Sequence, residues 1–345
     1  MRGARGSCTV ALIGLLAALA PPSRGATPCD AALALGDADP LHGAAAIELC
    51  DLSDGSSPGV VSAEYGPVDF GSALDATGIL GVGVPAIFGP NVSPRVGARM
   101  LALSSGTART PSDAGYGGDD FSKGYSSTPP PGFPANVGAC PVASAVYDSA
   151  ALRLALVAPG WANSFSFDFR FYTADYPSYV CSGFDDQFVA LVSPAPVGSL
   201  FGDVAFDAQV NPITVNTADW ISFCPPGGAY ACTSGQSELA GTGFEGHGAT
   251  PWLTTRVPVE PGVAFTIAFA IWDSGDANGN STVVLDDFRW SAAAVAGPTT
   301  QLAPEPGWTG AAACASLVAL QALRGRRRRA AAGPEASCFE EARSR

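Results

Sequence analysis

Positively charged residues are scarce in this sequence. Between Thr27 and Ala303 there are 27 acidic residues against 8 basic ones, and Lys123 is the only lysine. Nucleic acids and anionic lipid headgroups bind proteins through basic patches, so neither is expected as a partner. A strongly acidic surface is instead suited to solubility outside the cell and to attraction of cations.

Residues for nucleophilic and zinc chemistry are also few. The chain has two histidines, His42 and His247, and it contains no Cys-x-x-Cys pair. His247 stands in a Gly-rich stretch, where it could act as the base of a hydrolase or order the loop through hydrogen bonds. We expect the second role, and therefore no enzyme, with a secreted hydrolase as the alternative.

The N-terminus has the layout of a secretory signal peptide. Two arginines precede an apolar run at Val10–Ala20, and prolines and small residues follow it. We expect cleavage after Ala26, which makes residues 1–26 the signal, although neighbouring small residues leave the cleavage site open. The mature chain is therefore expected outside the cytoplasm.

The exported part holds six cysteines, and an even number favours disulfides in an oxidising compartment. They are Cys29, Cys50, Cys140, Cys181, Cys224 and Cys232. The Pro/Gly-rich loop between Cys224 and Cys232 favours one short-range bond. Cys29 and Cys50 bracket a second short segment, which favours a disulfide between them. Cys140–Cys181 is then left as the third predicted bond.

Alternating hydrophobicity indicates β-strands through most of the exported region. Four phenylalanines alternate with polar residues at Ser164–Phe171, which predicts a half-buried strand. Val263–Ile271 alternates large apolar residues with small ones, so we predict a central strand. Helix signals are nearly absent. The sequence therefore predicts an all-β fold: an antiparallel β-sandwich, jelly-roll-like, with long loops and disulfides. The longest loop, Thr107–Ala139, exceeds ordinary loop length, and such insertions are often functional.

Two segments resemble a known bacterial family. Phe165–Leu191 runs from a strand through an acidic, aromatic and proline-containing turn into an Asp-Asp-x-Phe strand, and Phe269–Phe288 ends in Leu-Asp-Asp-Phe. Both are similar to the choice-of-anchor L domain, and the resemblance extends over about Ala44–Ser291. It implies a secreted, β-rich surface domain with an interchangeable C-terminal anchor and no established activity. We place this domain at 27–291 and a linker at 292–303.

Near the C-terminus, the tripeptide Pro304–Pro306 precedes an apolar stretch, Trp308–Leu323, and the arginines Arg326–Arg329. This layout resembles a PEP-CTERM sorting signal, which exosortase-like machinery reads, although 16 further residues follow the arginines. As a helix the apolar stretch would span roughly 24 Å, less than a bilayer core of about 30 Å. We therefore expect a sorting or transmembrane segment at 304–329, either processed or kept as a short anchor, and a cytoplasmic tail at 330–345.

One predicted turn is rich in oxygen ligands for calcium. Its candidate ligands are Asp273, Asp276, Asn278 and Asn280. Asp276, Asn278 and Asn280 stand at positions one, three and five of the EF-hand loop pattern. Asp287 stands at position twelve of the same pattern. Ser281 nevertheless replaces the required glycine, and strands flank the turn, so an EF-hand is rejected. A weak calcium site and an Asx-rich turn that bonds its own backbone are the two interpretations left open.

A second turn combines carboxylates with tyrosines. Its members are Asp175, Tyr176, Tyr179, Asp185 and Asp186. Such a turn could bind a sugar or a cation, or it could be a structural corner fixed by Cys181.

Together these features favour an exported module at the cell surface, in the outer envelope or in the extracellular space, held at the membrane through its C-terminal segment. We expect adhesion, matrix attachment or glycan binding, with exosortase-like machinery and a surface glycan or matrix as partners and calcium as the one candidate cofactor. A secreted hydrolase acting on extracellular polysaccharide or peptide is the alternative.

Overall fold

The computed structural model describes residues 28–217, 220–228 and 230–304. The predicted signal peptide, the sorting segment beyond Pro304 and the predicted cytoplasmic tail lie outside these residues. Within the described ranges, no helix is long and apolar enough to cross a membrane.

The described residues form one short α-helix and thirteen β-strands. They are α1 (Pro40–Ala45), β1 (Gly59–Gly66), β2 (Val82–Gly83), β3 (Leu101–Ser104), β4 (Ser126–Ser127), β5 (Val146–Val157), β6 (Ser164–Thr173), β7 (Gln187–Ser193), β8 (Ile213–Thr214), β9 (Gly248–Ala249), β10 (Leu253–Pro258), β11 (Ala264–Ser274), β12 (Ser281–Ser291) and β13 (Thr299–Leu302).

The strands pair into two antiparallel sheets, which confirms the predicted β-sandwich. One sheet has the order β1-β5-β11-β7-β8, with β4 beside β5, and the other has the order β13-β10-β6-β12-β3-β2, with β9 beside β6. From β5 to β7, and again from β10 to β12, the chain passes from one sheet to the other at each step, as in a jelly roll. Strand β11 lies between β5 and β7, so its predicted central position is also confirmed.

The four phenylalanines of β6 form the centre of the core between the sheets. Phe165, Phe167, Phe169 and Phe171 are all buried. Across the interface, the ring of Phe165 lies 5.4 Å from that of Phe265, and the ring of Phe167 lies 5.0 Å from that of Phe269. Because each buried phenylalanine contributes about 1.5–3 kcal/mol, this row of side chains fixes which face of β6 points inward.

The prediction that β6 is only half-buried is wrong, because its polar face is covered as well. Asp168 and Arg170 are both fully buried. The Arg170 guanidinium lies 4.3 Å from the ring centroid of Phe223 and pairs with Glu238. Buried charges of this kind need partners, and here the partners come from loops distant in sequence.

All three predicted disulfides are present. Cys29–Cys50 closes the N-terminal segment, Cys224–Cys232 closes a short loop, and Cys140–Cys181 ties the region after the long insertion to the turn that follows β6.

The interval predicted as a linker, 292–303, contains strand β13. This strand pairs with β10, from Leu253 opposite Leu302 to Arg256 opposite Thr299. The chain then leaves the described part of the domain beside Arg95, whose Nη2 donates a hydrogen bond to the carbonyl oxygen of Pro304. The last described residues therefore follow an edge strand of the sandwich.

Candidate functional site

Four segments meet at one end of the sandwich and enclose a recess of about 170 Å³. They are the insertion between β3 and β5, the turn after β6, the segment just before β9, and the loop between β11 and β12. The polar and aromatic side chains of the recess are Asp119, Asp120, Asp175, Ser178, Tyr179, Phe184, His247, Asp276 and Asn278. Residues from both turns selected in the sequence are thus brought together.

Asn280 holds two of these loops in place. Its backbone N–H donates to the carbonyl oxygen of Asp119 at 2.7 Å, and its side-chain amide donates to that of Phe121 at 3.0 Å. The carbonyl oxygen of Asn280 accepts from the N–H of Ala174 at 3.1 Å. Because its amide group is committed to the insertion, Asn280 is a positioning residue in this arrangement.

Asp175 forms the floor of the recess. It is 1% exposed, and its Oδ2 accepts a hydrogen bond from the N–H of Asp186 at 3.3 Å. Its Oδ1 lies 2.7 Å from the position that a Cβ on Gly279 would occupy. Burial, followed by the nearby charge of Asp273 among other carboxylates, raises the pKa of Asp175 to about 8. A cationic group in the recess would reverse this effect by favouring the ionised carboxylate.

Asp186 and Asp273 lie behind Asp175 and do not line the recess. Both are buried, and Oδ1 of Asp186 accepts from the N–H of Ser274 at 3.1 Å. Burial raises the pKa of Asp273 to about 7, while the nearby Lys123 amine acts in the opposite direction. Lys123 is itself buried, which lowers its pKa to about 7, and its Nζ donates to the carbonyl oxygen of Ser104 at 2.7 Å. These groups form a buried polar layer beneath the recess.

The aromatic residues of the second turn separate into exposed and buried positions. Tyr179 is 44% exposed and packs edge-on against Phe184, with ring centroids 5.6 Å apart. Tyr176 is buried in the core, so it cannot be a contact surface for a ligand. Asp185 is also fully buried outside the recess. The turn is fixed by the Cys140–Cys181 disulfide, as the structural interpretation requires, and it still presents Tyr179 to the recess.

His247 uses both ring nitrogens to join two loops. Nδ1 lies 3.2 Å from the carbonyl oxygen of Tyr176, and Nε2 lies 3.2 Å from Oδ2 of Asp119. Ser178 lines the same recess, but no ring nitrogen is left to accept its hydroxyl proton. The geometry fits the loop-ordering role of His247.

The four predicted calcium ligands do not share one position. Asp276 and Asn278 lie at the rim, where Oδ1 of Asp276 accepts from the N–H of Asn278 at 3.1 Å, the hydrogen bond of an Asx turn. Asp273 is buried below them, and Asn280 is bonded to the insertion. Among the described residues, no group of three or more His, Cys, Asp or Glu side chains is arranged to hold a metal ion. Calcium at this turn stays a prediction.

Two rim carboxylates, Asp119 and Asp120, were not among the predicted site residues. They belong to the Gly-Tyr-Gly-Gly-Asp-Asp stretch of the long insertion, whose length was the one available signal. Their position beside His247 and Asp276 depends on the three-dimensional arrangement of the loops, because the three segments are far apart in the chain.

Residues 130–288 match the model of the choice-of-anchor L domain. The matched range contains strands β5 to β11 and most of β12, the Cys140–Cys181 disulfide, and every polar and aromatic residue of the recess except Asp119 and Asp120. No curated protein matches the chain. The match supports the choice-of-anchor L family for this segment, and together with the disulfides it indicates an exported, surface-anchored protein.

Proposed function

We propose that this protein is a surface-displayed binding module for adhesion or matrix attachment, and that the recess at Asp175 binds a glycan. The observation that carries the proposal is the combination of acceptor side chains with an exposed aromatic pair in one recess. The recess is supported by loops between long strands, as is common for binding sites on a rigid scaffold. Delivery to the surface would depend on the predicted sorting segment and exosortase-like machinery.

The chemistry of the recess favours a neutral or amine-bearing sugar. Asp119 and Asp276 can accept hydrogen bonds from hydroxyl or ammonium groups, and Tyr179 presents a ring face to the C–H groups of a sugar. An anionic polysaccharide would be repelled by the acidic surface. A volume of about 170 Å³ is smaller than the pockets of about 300–1,000 Å³ that bury whole small molecules. We therefore expect recognition of one terminal or side-chain sugar on a polymer.

Glycan binding can be tested with the purified full chain on an array of neutral, amine-bearing and acidic surface polysaccharides. Tyr179→Ala and Asp119→Asn should each weaken binding to the best ligand at least tenfold. Trp161→Ala is the matched control, since this tryptophan is 58% exposed and does not line the recess. Equal binding by all three variants, or selective binding of acidic polymers, would contradict the proposal.

A further inference from the structure

A second group of carboxylates lies where the N-terminal segment packs on β12. We call Asp30, Glu48 and Asp286 the junction cluster. The Cys29–Cys50 disulfide closes the segment that carries the first two residues. The backbone of this segment is bonded to β12, because the N–H of Phe288 donates to the carbonyl oxygen of Ile47 at 3.1 Å. The cluster therefore joins the two ends of the folded domain.

Backbone N–H groups fix one oxygen on each of two carboxylates and leave the other unbonded. Oδ2 of Asp30 accepts from the N–H groups of Ala98 and Arg99 at 2.7 and 2.6 Å. Oε2 of Glu48 accepts from the N–H of Asp287 at 2.8 Å. Among the described residues, Oδ1 of Asp30 and Oε1 of Glu48 are buried and accept no hydrogen bond. Each of these oxygens loses its hydration without a compensating hydrogen bond.

The carboxylates of Asp30 and Glu48 converge beside Gly97. A Cβ on this glycine would lie 2.6 Å from Oε1 of Glu48 and 2.7 Å from Oδ2 of Asp30. Gly97 has a φ of +69°, so the backbone conformation also favours glycine at this position. The absence of a side chain keeps the carboxylates close to the loop backbone.

The neighbouring arginines do not neutralise the junction cluster. Arg95 pairs with Asp168, and Arg289 pairs with Asp287 at 2.9 Å. The third, Arg99, directs Nη1 toward the carbonyl oxygen of Val84 at 3.4 Å. The junction cluster is therefore without a paired arginine, and a side-chain hydrogen bond joins the carboxyl groups of Glu48 and Asp286.

The strand that carries Asp286 is locally irregular. The pairing of β12 with β6 shifts register between Asp286 and Arg289, and Asp287 has a positive φ of 56°. Glu48 also has a positive φ, 67°. Backbone strain at non-glycine residues persists where the surrounding structure requires it, and it is concentrated at functional positions. Burial, followed by the charge of Asp286, raises the pKa of Glu48 to about 9, as expected for an acid that lacks a neighbouring cation.

We propose that Asp30 and Glu48 bind a calcium ion, and that Asp286 supplies a further negative charge beside it. The donor atoms are all oxygens, which suits a hard cation, and backbone carbonyl oxygens and water complete calcium coordination in many proteins. The ion would clamp the N-terminal segment to β12. This site is separate from the recess and from the turn at Asp276, so it does not depend on the proposed glycan binding.

The test uses the full chain with Asp276→Asn as the background, which removes any contribution from the other predicted calcium site. After treatment with EDTA, calcium is titrated by calorimetry and melting curves are recorded with and without calcium. We expect one ion per chain in the background. Adding Glu48→Gln or Asp30→Asn should weaken calcium binding at least tenfold, whereas adding Glu64→Gln, an exposed carboxylate on β1, should leave it unchanged.

The melting curves distinguish a ligand from a purely structural residue. In EDTA, Glu48→Gln should melt no lower than the background, because the uncharged amide can still donate a hydrogen bond to Asp286, and it should lose the rise in Tm that calcium produces. The proposal is overturned if the background binds no calcium, or if both cluster variants keep its affinity within twofold. It is also overturned if Glu48→Gln lowers Tm equally with and without calcium.

Discussion

Replacing Arg95 by methionine would test how the polar face of β6 is stabilised. Nε of Arg95 pairs with Asp168, and the two side chains are 8% and 1% exposed. The guanidinium also lies 5.6 Å from the ring centroid of Trp252 and donates to the carbonyl oxygen of Pro304. The substitution leaves a buried carboxylate without its cation. We therefore expect a large decrease in the free energy of unfolding.

The expected decrease is about 3 kcal/mol. Removing one partner of a buried ion pair costs about 3–5 kcal/mol. The hydroxyl of Thr254 still donates to Oδ1 of Asp168, and methionine keeps much of the apolar contact, so the lower end applies. Arg153→Met is the matched control, since Arg153 pairs with Glu64 at the surface, where the side chains are 45% and 49% exposed. That variant should lose about 1 kcal/mol or less.

Urea unfolding with the disulfides intact would measure both variants. Asp168→Asn and the double variant complete a thermodynamic cycle, in which the double variant should cost clearly less than the sum of the two single ones. If Arg95→Met costs no more than Arg153→Met, or if the two single effects are additive, the buried pair does not stabilise this face as argued.

The remaining predictions concern a buried carboxyl, the calcium turn and the tail. Burial raises the pKa of Asp203 to about 8, so the stability it contributes is present below about pH 4 and is lost as pH rises to 8. Asp203→Asn should therefore raise Tm more at pH 8 than at pH 4, and an equal effect at both would refute this. In the Glu48→Gln variant, several millimolar calcium should still raise Tm through the turn at Asp276, and adding Asp276→Asn should abolish that rise. If calcium does not raise the Tm of Glu48→Gln, the turn at Asp276 is an ordinary Asx turn without calcium. Deleting residues 305–345 should release the protein with an unchanged melting curve, because β13 and the Pro304 contact are kept; a lower Tm would show that the deleted residues stabilise the domain.

The inward face of the sandwich was predictable because it depends on local periodicity. Strict alternation at Ser164–Phe171 identified the face of β6 that enters the core. The outward face was not predictable, because its partners are distant in sequence: Asp168 pairs with Arg95, and Arg170 pairs with Glu238. Alternation shows that the two faces differ in polarity, and it contains no information about whether another loop covers the polar face.

The candidate site was predictable in composition and only partly in geometry. Asp175, Tyr179 and Asp276 line the recess as residues of the two selected turns, whereas Tyr176 points into the core. Residue type alone could not separate Tyr176 from Tyr179, since both stand in the same short turn. The contribution of Asp119 depends on the hydrogen bonds that attach the long insertion to Asn280.

The spacing of acidic residues along the chain has a different meaning once the strands are known. Asp287 occupies position twelve of the EF-hand count that begins at Asp276, and in a compact loop these residues would share an ion. Here Ser281–Ser291 is β12, and an extended chain advances about 3.3 Å per residue. Asp287 is therefore carried roughly 20 Å along the sheet from Asn280, toward Glu48, whose carboxylate accepts its N–H. Asp276 therefore stays at the turn, whereas Asp287 lies beside Glu48 of the junction cluster. Because the two places are separate, calcium at each of them can be tested by its own substitution.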